Sequence, residues 1–431
     1  MTTSRLMETA REERPEAKSV LSTSGAPSAG LLAQTNVPSL GREELIPYLR
    51  AVVLSERGRF KQCACNGDSS SKEGLRQKHL ANRLELLGRD RPWIASKARK
   101  LLHWFARGSE VDPAEISPRL VQVETEEQSA LFRLARYTWS LPYSKGYGRR
   151  LKFLIVDGHN GKLMGLLGLQ SPPLDLSPRD SRFAYAPGRK VELVNQTMDI
   201  YVQGAVPPYN ALLGGKLAVL AAVAKEVREA YRKRYDGKLT HMEGKELAAD
   251  LVALTTTSAF GRSSLYNRVV FEKDGQRYKV AESLGFMRGF GVFQFSEATY
   301  QLLKDFIRQE LPGRRVAGFA SGPRVKWQVI TLALHRLGIS TSTMRHGIRR
   351  EAYLIRLVDN LEGYFSGKDR VPKYRDWSFE ELAAFWEQHY LLGPRRQRPN
   401  DWREWEKEQI LELVLPDLSS YASLPEVTQR P

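Results

Sequence analysis

The chain has 431 residues, room for about two or three domains, and 42% hydrophobic residues, enough to exclude wholesale disorder. Two cysteines, Cys63 and Cys65, exclude a disulfide framework and a four-thiolate zinc site. Sixty-six Lys and Arg against 49 Asp and Glu leave a charge of +17, which predicts a polyanionic partner unless the surplus merely solvates the surface.

Residues 1–40 are rich in Ser, Thr, Ala, Glu and Pro and are expected to form a disordered tail. They carry no apolar stretch behind a basic start, and the longest apolar run in the chain is Leu217–Ala224. A cytoplasmic protein with no membrane span is the expectation. Residues 41–116 read as a helical N-terminal region. Lys97–Phe105 places Ala98, Leu101, Leu102 and Phe105 on one helix face, and Cys63–Ser71 reads as a polar loop.

From residue 117 to 300 the texture becomes that of an α/β core domain. Glu127–Trp139 reads as a helix stopped by Pro142. Leu151–Val156 and Leu163–Leu169 read as a hairpin around the turn Asp157–Gly161. A strand is predicted over Val191–Val202, then a Pro207-Pro208 turn into one long helix, Leu212–Tyr235. Leu251–Thr256 reads as a strand, Ser263–Val270 as a short helix, and Tyr278–Phe295 as a last strand pair. Residues 301–431 read as a helical C-terminal domain, with helices Pro323–Leu337 and Met344–Leu361 and a capping box at Ser378–Glu381. A basic break at 394–399 precedes a final helix through Trp402, Trp405 and Ile410. The fold class predicted is α+β, a central mixed sheet with flanking helices between helical N- and C-terminal regions.

The basic residues are clustered, and like charges repel unless an anion neutralises them. Arg57–Arg107 holds 13 basic residues against four acids, and 311–350 holds eight and no acid. The Tyr143–Lys152 turn offers Lys145, Arg149, Arg150 and Lys152 among glycines and tyrosines, suited to phosphate or to solvent. Gly214, Gly215 and Lys216 open a helix, either as an anion site or as a close-packing point. Arg262 and Arg268 flank Ser263 and Ser264, hydroxyls that suit a helix N-cap or a phosphate. Arg345, Arg349 and Arg350 read as the groove-facing start of a second helix in a helix-turn-helix arrangement, with His346 as a contact or cap. Asp157, Asp180, Glu192 and Asp199 have no diagnostic metal spacing, and Cys63, Cys65, His79 and His103 are a poor zinc set. No metal site, catalytic constellation or cofactor is assigned.

The strand, glycine-bearing turn and helix at Pro207–Lys216, followed by Tyr266 and Leu284-Gly-Phe286, resemble the acyl-CoA N-acyltransferases of the GNAT type. That analogy implies an acyl- or nucleotide-donor-dependent transferase as the alternative function. A second resemblance covers residues 117–395. It is carried by Trp139–Arg150, Met198-Asp199, Gly204–Lys216, Glu226-Val227, Ser263–Arg268 and His346–Glu351, with Gly-Ala-Val-Pro-Pro-Tyr-Asn its most specific stretch. These resemble the DruA family of the Druantia anti-phage defence system. The resemblance implies a cytoplasmic bacterial defence component working with other Druantia proteins, including a helicase-like partner. With the charge, it points to a nucleic-acid-binding accessory role, on DNA rather than RNA.

Overall fold

The structure is a computed structural model. It describes residues 41–417 except 66–71, 140, 142–147, 240–243, 245, 247, 260, 289–294, 314–322, 346–348 and 394–399, with backbone only at 59–65, 72–78, 81, 82, 323, 324 and 400. The expected tail at 1–40, the loop at 66–71, Lys145, His346 and the basic break at 394–399 lie outside the described residues.

Helices α1 (Arg42–Cys65) and α2 (Lys72–Leu101) come first, then β1 (Pro118–Gln122) and α3 (Glu126–Arg136). The hairpin β2 (Arg150–Asp157) and β3 (Leu163–Gln170) follows, then the short helices α4 (Ser177–Arg182) and α5 (Lys190–Asn195). Strand β4 (Thr197–Ala205) leads to α6 (Gly214–Ala221), α7 (Lys225–Tyr235) and β5 (Ala253–Thr257). Next come α8 (Ser264–Asn267), the small hairpin β6 (Val270–Lys273) and β7 (Gln276–Lys279), and β8 (Glu282–Phe286). Helices α9 (Glu297–Glu310) and α10 (Pro323–Arg336) precede β9 (Glu351–Arg356), α11 (Leu361–Ser366), α12 (Phe379–Trp386) and α13 (Gln409–Val414).

The seven-stranded sheet has the order β1-β2-β3-β4-β5-β9-β8. Only the β4–β5 pair is parallel, over Thr197–Asp199 and Ala253–Thr255. The fold is therefore α+β with a mixed central sheet, as expected. Leu217, Leu220, Tyr231 and Trp386 of α6, α7 and α12 cover one sheet face together with Leu151, Ile200 and Tyr353. The other face is covered in two patches. Leu87, Ile94, Leu131 and Ile410 pack over Leu154, Leu166 and Val202, while Phe183, Leu361 and Phe365 pack over Ala253 and Leu354. A separate apolar cluster joins α1, α9 and α10 through Leu49, Leu303, Phe306 and Leu334.

Three sequence expectations are corrected. The predicted strand over Val191–Val202 begins only at Thr197, because Lys190–Asn195 turns as helix and buries Leu193 and Val194. The single helix over Leu212–Tyr235 breaks at Ala224, which is extended. The next N–H, on Lys225, donates to the Trp377 carbonyl at 2.8 Å rather than back along a helix. The helix expected over Met344–Leu361 is a 3-10 turn at Thr341–Met344 and then strand β9, so the helix-turn-helix placement of Arg345, Arg349 and Arg350 is overturned. All six residues of β9 are buried, since β5 and β8 flank it and both faces are covered, and such a strand shows no alternating period.

The turn between β4 and α6 is built by its own sequence. Tyr209 is fully buried, and its hydroxyl donates to Asp157 at 2.9 Å in the β2–β3 turn. Asn160 donates to the same hydroxyl at 2.9 Å, and Asp157 also accepts the Ser117 and His159 N–H groups. Leu213 holds a left-handed φ of 60°, a conformation that costs an L-residue about 1–2 kcal/mol. The Trp386 indole fixes it by donating to its carbonyl at 3.0 Å.

Candidate nucleic-acid interface

The basic candidates fall at two ends of the sheet. One cross-strand line runs from Arg150 through Gln170 and Asp199 to Thr255. Gly214 lies instead against Ala205, six residues further along β4 and so about 20 Å away.

At the Arg150 end, Gly148 takes φ +61°, and a Cβ there would meet Ser171 Oγ at 2.3 Å. That close approach lets the Arg149 N–H donate to Ser171 Oγ at 2.9 Å. The Arg149 guanidinium donates to the Tyr231 hydroxyl and lies 5.5 Å and 6.0 Å from the Tyr231 and Tyr235 ring centres. Burial and the neighbouring Tyr235 raise the Tyr231 hydroxyl to about 12, against the lowering effect of Arg149. The Arg150 N–H donates to the Tyr235 hydroxyl at 2.7 Å, and that hydroxyl donates to the Arg150 carbonyl at 3.0 Å. Lys152 donates to Ser129 Oγ at 3.2 Å over the Phe132 ring. Burial, then the like charges of Arg150 and Arg234, pull the Lys152 ammonium below its usual pKa. Tyr231, Arg234 and Tyr235 come from α7, about 80 residues after the arginines, so local reading missed them.

At the other end Lys216 donates to the Ser264 and Leu265 carbonyls, both at 3.1 Å, and holds α8 to α6. A Cβ on Gly214 would sit 2.8 Å from the Tyr209 carbonyl oxygen, so this glycine permits close packing. Gly215 faces Leu265 at ordinary contact distance. Ser263 occupies the N-cap position of α8 without a side-chain cap bond, which corrects the capping role expected of it; its own N–H donates to the Tyr353 hydroxyl at 3.1 Å. Arg262 and Arg268 are exposed on either side. Glu351 accepts from Ser283 Oγ at 2.6 Å, Asn267 Nδ2 at 3.2 Å and the Tyr353 hydroxyl. Burial alone would raise its pKa, but those three donors and the Arg262 charge hold it low. Arg349 is exposed over the Phe286 ring at 4.9 Å, and the Arg345 carbonyl accepts from Arg57 at 2.7 Å. Arg350 is largely enclosed, and burial lowers its pKa.

The acids do not assemble. Asp180 engages Arg179 and Lys190, Glu192 engages Arg189, and Asp157 anchors its turn. No group of three His, Cys, Asp or Glu suited to a metal occurs among the described residues. Asp199 stands apart, between the two apolar patches of the second face. It accepts from Gln170 Nε2 at 3.0 Å and Thr255 Oγ1 at 2.9 Å. A sliver of the residue stays accessible, yet burial pushes the carboxyl up to about 6 against those two donors and Arg179. A raised carboxyl stabilises fully below its unfolded pKa of about 4, and that contribution is lost as pH rises through about 6. Asp199→Asn is therefore expected to raise stability at pH 7 by about 1–3 kcal/mol and to match the parent below pH 4. Urea midpoints at the two pH values check this, and a variant weaker at pH 7 would refute it.

The Druantia protein DruA family matches residues 69–367. That span starts earlier than the expected resemblance from 117, taking in all of α2, and ends at Gly367, just after α11 and short of the expected 395. The chain is 34% identical over 370 residues to the Druantia protein DruA of Escherichia coli (strain UMEA 4076-1), covering 85% of this chain and 90% of that protein. No solved structure matches it significantly, and no helix among the described residues is long and apolar enough to cross a membrane. With a family match across the whole sheet and a relative aligned over nearly its whole length, the chain belongs to the DruA family of the Druantia anti-phage defence system.

Proposed function

We propose that the protein is the nucleic-acid-binding accessory component of its defence system, acting on DNA with a helicase-like partner in the cytoplasm. The observation that carries this reading is the crowding of Arg149, Arg150, Lys152 and Arg234 around Tyr231, Tyr235 and Phe132. Arg150 and Arg234 depress the half-buried Lys152 ammonium, so the cluster is held together at a cost that phosphates relieve. Lys145 precedes this patch in the chain and is assigned to it. Arg262, Arg268, Arg345 and Arg349 are assigned to a second contact at the opposite end.

The test is the salt dependence of duplex DNA binding. Log K is expected to fall with log salt at a slope of about −0.9 per phosphate contact. Arg150→Ala with Lys152→Ala should make that slope shallower by about 2 and weaken binding evenly across sequences. An unchanged slope would place the DNA elsewhere.

A second reading, a GNAT-like donor-dependent transferase, draws on the passage of β4 through a tight turn into Gly214, Gly215 and α6, with Tyr266 on the later short helix. Coenzyme A offered to the intact protein tests it, and a melting temperature unmoved by that donor removes this reading.

A further inference from the structure

Two buried arginines of this fold have their charge answered by carboxylates. Arg179 is fully buried and donates to Asp180 and to the Pro173 and Leu174 carbonyls. Arg356 is clamped between Glu282 and Glu362. Arg350 is different. Its Nε is buried with no hydrogen-bond partner, and no carboxylate pairs with it among the described residues. An arginine does not shed its proton under ordinary conditions, so burial cannot be answered by neutralisation as it is for a lysine.

The surroundings explain why the neighbouring acid does not serve. Glu351 bonds Tyr353, two residues along β9, so its carboxylate lies on the Tyr353 face of the sheet. Side chains alternate along an extended chain, which sets Arg350 on the opposite face. The Arg350 carbonyl continues the β8–β9 ladder by accepting the Met287 N–H at 2.8 Å, so the backbone is fixed. On that face Glu282 and Glu362 are both taken by Arg356 at the far end of β9. By the same alternation Arg349 falls on the Glu351 face, exposed over Phe286, the cross-strand partner of Glu351, and does not share the face of Arg350.

We infer that the start of β9 is an anion site in which Arg350 receives a single phosphate group. This deepens the nucleic-acid reading but fails separately from it, because Arg149, Arg150 and Lys152 lie toward the other end of the sheet. The planar fork of Arg350 suits two phosphate oxygens, and its enclosure favours one group over a diffuse counter-ion cloud.

The intact protein is melted in inorganic phosphate and in chloride at matched ionic strength. Wild type is expected to gain about 3 °C or more from phosphate beyond any gain of Arg350→Met. The Arg149→Ala, Arg150→Ala protein should keep that excess over the same protein carrying Arg350→Met, even if its DNA binding is lost. Equal gains in wild type and Arg350→Met overturn the site. Should Arg350→Met not fold, the ³¹P linewidth of inorganic phosphate decides with the Arg149→Ala, Arg150→Ala protein, which lacks the other patch: broadening supports the site, and an unbroadened line overturns it. Oligonucleotides with and without a 5′-phosphate then separate the sources. Displacement of phosphate only by the phosphorylated strand marks a terminal phosphate, and displacement by both marks the internal backbone.

Discussion

Lys152→Glu is expected to bind duplex DNA about tenfold more weakly at low salt while melting no lower than the parent, and with Arg150→Glu the loss should reach about a hundredfold. The two readouts diverge because the patch is built against itself. Lys152 is half-buried beside Arg150 and Arg234, and its ammonium is depressed by burial and by both neighbours. A carboxylate at this position turns two repulsions into attractions and can accept from Ser129 Oγ, which now accepts from Lys152 at 3.2 Å. The fold gains or breaks even, whereas the ligand loses a cation and meets an anion. Binding isotherms and melting curves on the same samples check the result. A variant that loses stability and affinity together would make Lys152 a structural lysine and withdraw the patch from the interface.

Gly108→Ala is expected to lower stability by about 3 kcal/mol or more and to release the segment from Trp402 to Val414. An added Cβ would stand 2.2 Å from the Trp402 carbonyl oxygen and 2.5 Å from the Arg403 carbonyl carbon, and backbone on both sides has no rotamer to give. The Gly108 N–H donates to the Trp405 carbonyl at 2.7 Å, so the clash falls at the docking point itself. What is lost with it is apolar: Trp402 sits in the core on one sheet face, and Ile410 and Val414 pack with Leu87 and Ile94 of α2 on the other. Urea unfolding and the protease sensitivity of the C-terminal segment measure both parts. An unaltered midpoint would show that the segment docks elsewhere.

The parts of this fold that were legible in the sequence are those whose signal is local. Strands β2 and β3 were read from two apolar runs around Asp157–Gly161, because the turn between them carries its own chemistry. Arg149, Arg150 and Lys152 were legible as a charge run for the same reason. What failed depends on distance. Strand β9 was read as helix because burial on both faces erases the alternation that marks a strand. Asp199 gave no acid-cluster signal because its partners, Gln170 and Thr255, lie 29 and 56 residues away. Likewise α7 supplies Tyr231, Arg234 and Tyr235 to the patch from 82 or more residues downstream of Arg149.

The position of β9 also bears on how the chain is made. Among the described residues it is the last strand in sequence, yet it lies between β5 and β8, so neither neighbour has its inner partner until residue 356 has left the ribosome. From Phe286 to Arg356 is 70 residues, roughly 4–14 s of synthesis at about 5–20 residues per second. For that interval the nascent protein presents two open strand edges, each a template for pairing with a neighbouring polypeptide. A message truncated ahead of Glu351 would leave those edges open for good, and its product is expected in the insoluble fraction rather than as a half-active fragment.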